Sequence, residues 1–288
     1  MSPVRGIKMR ACPVNAKGPV PEPLASRFPF PEVHTDGAIM ADLAIAIKEL
    51  KGDVYCSVPF CSTVESEALG AKVKLGDHTS TPLIRENPWN SLDEVSMLEW
   101  DPQRGRMGEV MRALSILGDR GLSTAFKLTG PFTTMMNLVE PRGLFKAIRK
   151  DRDAVQGLLR SISAYSLACA QEAVTRGVSV ISLAESSATT DLVGPKVFSD
   201  LVGPEIMELM EAMTLIPGDW SGHLCGRLST SLEEGGFIEV NRIDTGRGRY
   251  GDNLEKLRKE GVRWFCHSCI SMTPKETSQA WTFRAKKV

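Results

Sequence analysis

Imidazole and thiolate are the donors that zinc takes, and two segments offer them at close spacing. They are Ser221-Gly222-His223-Leu224-Cys225-Gly226 and, about forty residues later, Cys266-His267-Ser268-Cys269. In an extended strand alternate side chains share a face, so His223 and Cys225 would project into one space, and a later strand end could bring a third soft ligand to them. Three protein ligands with one open position form an arrangement that supports chemistry rather than folding alone. Plainer readings stand beside this one. Taken alone, a buried cysteine and a satisfied core histidine account better for Cys225 and His223. Cys266 and Cys269 could also supply two ligands of a closed structural site, with His267 replacing either.

The elements that would position these residues follow from periodicity. Ile39, Met40, Leu43, Ile47 and Leu50 have helical spacing, with Thr35 or Asp36 as cap and Gly52 as stop. Val54 to Phe60 reads as a short buried strand, Met107 to Gly118 as a helix, and Ser123 to Phe132 as a strand opening into a loop. Ser91, followed three residues later by Glu94, marks a capped turn. Leu144 to Arg176 holds one or two long helices. Val178 to Ala184 is almost wholly apolar, as expected of a parallel strand buried on both faces, and it ends at Glu185-Ser186-Ser187. Pro195 to Met213 is helical, Trp220 to Cys225 a strand, Gly236 to Val240 a short strand, Leu254 to Glu260 a short helix and Val262 to Cys266 the last strand. The prolines between Met1 and Pro31 forbid a long helix there, and at most Arg5 to Ala11 could pair as a strand.

Strands alternating with helices imply a mostly parallel α/β fold, and no G-x-G-x-x-G or Walker loop follows any strand. A TIM-type (β/α)8 barrel gains by elimination. In such a barrel functional groups lie at the C-terminal strand ends, where Cys61 to Glu67, Thr129 to Thr133, Glu185 to Ser187, His223 to Cys225 and Cys269 all fall. The 35 basic and 35 acidic residues cancel, so no basic field points to nucleic acid or anionic lipid. No apolar run approaches the ~20 residues of a membrane span, and Met1 to Val20 lacks the apolar core of a signal peptide, which sets the expectation of a cytoplasmic protein. Seven cysteines, an odd number, suit thiols kept for packing, metal or catalysis rather than a disulfide framework.

Several phrases occur in an order that resembles one family. They are Pro31-Glu32-Val33-His34-Thr35-Asp36, Val58-Pro59-Phe60-Cys61-Ser62-Thr63-Val64-Glu65-Ser66-Glu67-Ala68-Leu69-Gly70, Leu128-Thr129-Gly130-Pro131-Phe132-Thr133, His223-Leu224-Cys225-Gly226 and Cys269-Ile270-Ser271-Met272-Thr273-Pro274. Over roughly Phe30 to Thr282 the chain resembles the corrinoid-dependent methyltransferase branch of the uroporphyrinogen decarboxylase superfamily, whose members methylate coenzyme M. The arginine-rich N-terminal motif of true decarboxylases has no counterpart, which disfavours porphyrinogen decarboxylation.

The resemblance implies a barrel holding one Zn2+ through a His-x-Cys pair and a distal Cys, positions matched by His223, Cys225 and Cys269. It implies a thiol acceptor, a corrinoid protein as methyl donor and thiolate attack on methyl-Co(III). Glu185 is then expected to occupy the open zinc position at rest or to orient a ligand. The phrase aligns on Cys269, which leaves Cys266 to packing. A non-catalytic zinc-containing accessory subunit for a corrinoid protein is the second reading, and a homodimer is left open. Arg247 and Arg249 lie in a Gly-rich loop where they could meet an anionic substrate group, although a solvated loop is the simpler reading. His34 and His78 read as surface or capping residues, Glu65 and Glu67 as the polar side of a helix start, and Cys61 as a packed thiol. In domain terms, residues 1–30 form a Pro-rich arm and 31–288 one barrel domain. Compared with the family the barrel is expected to be irregular or shortened at the N-terminus, where Arg5 to Ala11 must be the first strand or none exists, and between Asp244 and Gly261, where material for a further strand and helix is lacking.

Overall fold

A computed structural model describes residues 20–95 and 98–286. Among them the strands in chain order are β1 (Cys56–Val58), β2 (Lys72–Lys74), β3 (Leu83–Glu86), β4 (Thr124–Thr129), β5 (Val180–Ala184), β6 (Ser221–Cys225), β7 (Ile238–Arg249), β8 (Trp264–Ser268) and β9 (Glu276–Ala285). Five of these form one parallel sheet in the order β1-β4-β5-β6-β8. This is the wall of a TIM-type α/β barrel. Side chains alternate across it: Phe126, Leu128, Ile181, Leu183, Leu224 and Cys266 join the large core under the helices, whereas Ala125, Val180 and Phe265 join a second cluster on the other face. The inner face therefore also carries Lys127, Ser182, His223 and Cys225.

The helices that cover the outer face start and stop where their sequences dictate. Gly37–Lys51 begins at Asp36, whose carboxylate accepts from the N–H groups of Ala38 and Ile39 at 2.8 and 3.0 Å, and ends at Gly52, whose φ of 69° needs a residue without Cβ. Gly105–Asp119 buries Met107, Val110, Met111, Leu114 and Leu117. The stretch after Leu144 is two helices, Pro141–Lys150 and Arg152–Thr175, separated at Asp151, whose carboxylate caps the second through Ala154. The turn Leu92–Glu94 forms as expected, but the Glu94 carboxylate accepts from the N–H of Asn90 at 2.9 Å and Ser91 makes no side-chain cap.

Three expectations need correction. The chain after Thr129 is not a loop: Gly130 is extended, Pro131 occupies the first helical turn and the helix Pro131–Leu138 follows. β7 runs twelve residues rather than five, and β8 is not the last strand, because β9 returns antiparallel to β7. β6 therefore pairs directly with β8, and β7 leaves the wall to form a two-stranded ribbon with β9. Between Asp244 and Gly261, where the sequence reads as lacking a further strand and helix, the structure has the end of β7 and the helix Tyr250–Lys259, and the irregularity is that β7 lies outside the wall. The candidate strand Arg5 to Ala11 lies outside the described residues.

The helix Tyr250–Lys259 follows β7 at once and packs Tyr250, Leu254 and Leu257 against Tyr55, Ala125, Val180 and Phe265 on the inner face. It is tied to the segment before β1, since Tyr55 OH donates to Glu255 at 3.2 Å and Arg249 donates to the Gly52 carbonyl at 3.3 Å. Among the described residues no helix is long and apolar enough to cross a membrane.

Candidate functional site

The parallel registers that build the wall also set its chemistry. Lys127 on β4 is opposite Ser182 on β5, and Ser182 is opposite His223 on β6, so the three lie in one layer of the inner face. One residue pair further along, Cys225 is opposite Ser268, the residue before Cys269. His223, Cys225 and Cys269 thus come to the same C-terminal edge of β6 and β8, as the sequence spacing suggests.

The side chains are held by other partners. His223 is fully buried, with Nδ1 3.2 Å from Ser182 Oγ and Nε2 3.2 Å from the Tyr250 hydroxyl. Burial pulls its pKa down to about 4, so the ring is neutral at pH 7, donating from one nitrogen and accepting at the other. Among the described residues no group of three or more His, Cys, Asp and Glu side chains is gathered so that it could hold a metal ion. The donor types and their placement on one edge fit zinc, with an imidazole kept in the form that binds metals and two cysteines on adjoining strands. The packing around His223 does not yet present that set, because a serine and a tyrosine hydroxyl occupy both nitrogens.

Cys266 is buried in the outer-face core, in agreement with a packing role. His267, the only non-glycine described with positive φ (56°), bonds Ser229 Oγ through Nδ1 at 2.8 Å and Glu233 through Nε2 at 3.0 Å, which commits it away from Cys225.

Glu185 is placed elsewhere than expected for a metal neighbour. Its carboxylate accepts from the N–H of Phe132 (2.8 Å), the N–H of Thr133 (2.8 Å) and Thr133 Oγ1 (2.6 Å), capping the helix Pro131–Leu138 from the neighbouring strand. A Cβ on Gly130 would fall on that carboxyl group, so this glycine makes the approach possible. Burial pushes the Glu185 pKa up to about 7, while the three donors pull the other way.

Other acidic and basic groups at the mouth are tightly paired. Arg106 donates to Cys61 Sγ at 3.1 Å, to Glu67 at 2.8 Å and to the His34 carbonyl at 3.0 Å. Glu65 is buried, not on a polar helix face: Oε1 accepts from the N–H of Thr129 at 2.8 Å, Oε2 has no partner among the described residues, and burial raises its pKa. His34 is buried too, against Phe30 and Phe60, rather than at the surface. Arg247 and Arg249 sit on β7, paired with Glu276 and Asp252, so neither stands in a loop.

A cavity of about 930 Å³ opens at the mouth, lined by residues that include Lys51, Asp53, Tyr55, Phe60, Cys61 and Lys127. Ser271 lines it, two residues from Cys269, whereas His223, Cys225 and Cys269 themselves do not. Sequence reasoning missed Lys127 and Tyr250. The first was legible as a lone lysine at an inward position of an apolar strand. The second follows a solvated ribbon and carried no signal.

Fold and inner-face layer define a TIM-type barrel with soft donors at the C-terminal strand ends. The family model for uroporphyrinogen decarboxylase (URO-D) matches residues 10–245, and the chain belongs to that family. Among its relatives is the methylcobamide:CoM methyltransferase MtaA of Methanosarcina barkeri, 26% identical over 212 residues that cover 71% of this chain and 61% of the relative. The methylcobamide:CoM methyltransferase MtbA of Methanosarcina mazei is 25% identical over 240 residues, 82% of this chain and 70% of that protein. The solved structure of a methyltransferase from Methanosarcina mazei superposes with a TM-score of 0.64 at 26% identity, covering 75% of this chain and 67% of that one. The chain thus spans about 61% of the length of the MtaA relative.

Proposed function

We propose that the chain is a zinc-dependent methyltransferase that moves a methyl group from a methyl-Co(III) corrinoid protein to a small thiol such as coenzyme M. The observation that supports this reading is the register of β6 against β8, in which Cys225 is opposite Ser268, the residue before Cys269. The methylcobamide:CoM methyltransferases among the relatives support it. Zinc held by His223, Cys225 and Cys269 would supply the Lewis acidity that keeps an acceptor thiol deprotonated at neutral pH. The residues of the chain do the rest. Ser182 fixes the orientation of the His223 ring, burial keeps that ring neutral, and the mouth cavity admits the acceptor. In the transfer the thiolate sulfur bonds to the methyl carbon, the cobalt–carbon bond breaks, and its electron pair stays on cobalt as Co(I).

One observation favours a second reading, a zinc-containing accessory subunit without turnover: the Tyr250 hydroxyl sits on the nitrogen of His223 that faces it. Metal analysis with a methylcobalamin demethylation assay, run with coenzyme M and with homocysteine and repeated on Cys269→Ala, separates the two. About one zinc per chain with thiol-dependent demethylation, both lost in the variant, is the expected result. Zinc without demethylation by either thiol selects the accessory reading, and no zinc refutes both.

A further inference from the structure

Lys127 is a cation that the barrel has taken inside, and among the described residues no carboxylate reaches it at ion-pair distance. It stands between the inward residues Ala125 and Thr129 of β4 and lines the mouth cavity. Its ammonium lies 5.9 Å from the centroid of the Phe60 ring, and among the described residues it makes no ion pair, although sixteen other contacts of that kind tie up Arg, Lys and His side chains elsewhere. Burial lowers its pKa, the usual mark of an ammonium whose hydration has been removed. Asp53, the one carboxylate on the cavity wall among the described residues, attracts that ammonium from beyond contact distance and accepts from the Thr273 hydroxyl at 2.7 Å. The charged lining is thus Lys51, Lys127 and Asp53, a surplus of one positive charge in a pocket otherwise walled by neutral groups.

The position of that charge relates it to the strand-end donors. Lys127 shares its layer with His223 through Ser182, two strand spacings or about 10 Å away. It lines the same cavity as Cys61 and Ser271, and Ser271 is two residues from Cys269. A short molecule whose sulfur sits near Cys269 would therefore present its other end to Lys127.

We propose that Lys127 is the specificity residue for an anionic group, a sulfonate, carboxylate or phosphate, at the far end of the small molecule that enters the cavity. This rests on the thiol-acceptor reading for what the molecule is, and not for whether the anion binds. Lys127 serves as a point charge that an anion can approach through the open cavity, which a tightly paired arginine such as Arg106 does not offer.

The test uses anions without a thiol: ethanesulfonate, propionate and methyl phosphate, titrated by calorimetry into the wild-type chain, Lys127→Met, Lys127→Gln and Lys127→Arg. At least one anion binds the wild type, and which one does identifies the head group. Both neutral variants weaken it about tenfold or more, the order expected when one charge-assisted hydrogen bond is lost. Lys127→Arg stays within about threefold, since the charge remains. A wild type that binds none of the three, or a folded neutral variant that binds as tightly as wild type, overturns the proposal; the Gln variant decides should the Met variant fail to fold. Absence of zinc or of demethylation in the same preparation would refute the methyltransferase reading and leave anion capture by Lys127 standing.

Discussion

Replacing Glu185 with Gln tests whether this carboxylate is a helix cap, as its contacts indicate, or a metal neighbour, as its place at the end of β5 suggests. The carboxylate accepts three hydrogen bonds on two oxygens, all from Phe132 and Thr133. An amide keeps one oxygen and turns an NH2 group toward the other donors, so at least one buried N–H loses its acceptor, at a cost of about 1–3 kcal/mol. Loss of the negative charge from the helix N-terminus adds about 0.3–1 kcal/mol, and removing a buried charge gives part of this back. The net expectation is about 2 kcal/mol, or a fall in Tm of about 4–8 °C for a chain of this size, read by circular dichroism at pH 8. Zinc content, measured on the same samples, should not change. Gly130→Ala drives a methyl group into the same carboxyl and should destabilise by a similar amount, with the double variant well short of additive. An unchanged Tm together with lost zinc would show that the carboxylate acts at the metal and that the capping argument is wrong.

Tyr250→Phe removes the hydroxyl from His223 Nε2 and should tighten zinc binding by up to about tenfold in a competition titration, while costing about 1 kcal/mol in stability; weaker zinc binding would mean that the hydroxyl supports the metal site. His34 has its pKa pulled down to about 4 by burial and then by Arg106, so the unfolded chain takes up a proton below about 6.5 that the folded chain refuses until about 4. Stability is therefore lost as pH falls through that window, by at most about 3 kcal/mol. Glu185 acts in the opposite sense: its folded pKa is raised to about 7, so its contribution is lost as pH rises from about 4.5 to about 7. In denaturant titrations between pH 4 and 7, His34→Leu should remove the rising contribution and Glu185→Gln the falling one, and curves that keep the wild-type shape would refute the assignment. Gly251→Ala puts a Cβ 2.6 Å from Val54 Cγ2 and 2.7 Å from Thr273 Cβ, and should cost about 1–3 kcal/mol by overpacking the junction beside β1; a neutral effect would show that this junction yields.

Where the sequence was readable, one physical signal dominated. The Asp36 cap and Gly52 stop, the doubly buried β5, and the His223-x-Cys225 alternation each follow from local backbone geometry alone. The misreadings share a different cause. β7 alternates exposed charged residues such as Arg242 and Asp244 with half-buried ones, so it has no apolar face to announce a strand, and its existence depends on pairing with β9. Pro131 reads in sequence as the opening of a loop, whereas in the fold it stands at the first helical turn, where proline is a start signal. The Glu185 contact joins residues 53 positions apart, and its only trace in the sequence is the glycine at 130 that leaves room for it.

The shortened stretch between Asp244 and Gly261 bears on function through one side chain. With β7 diverted into the outer ribbon, the helix Tyr250–Lys259 starts directly at its end, and the first residue of that helix is buried on the inner face. Its hydroxyl lands on His223, in the layer that also holds Ser182 and Lys127. The same rearrangement that leaves the wall without a strand between β6 and β8 thus supplies a competitor for the imidazole nitrogen. A metal must displace that hydroxyl, which costs about one neutral hydrogen bond, roughly 0.5–1.5 kcal/mol, against apparent binding energies of about 10–16 kcal/mol for structural zinc in small peptides. The contact can tune metal affinity by about tenfold but cannot by itself exclude zinc.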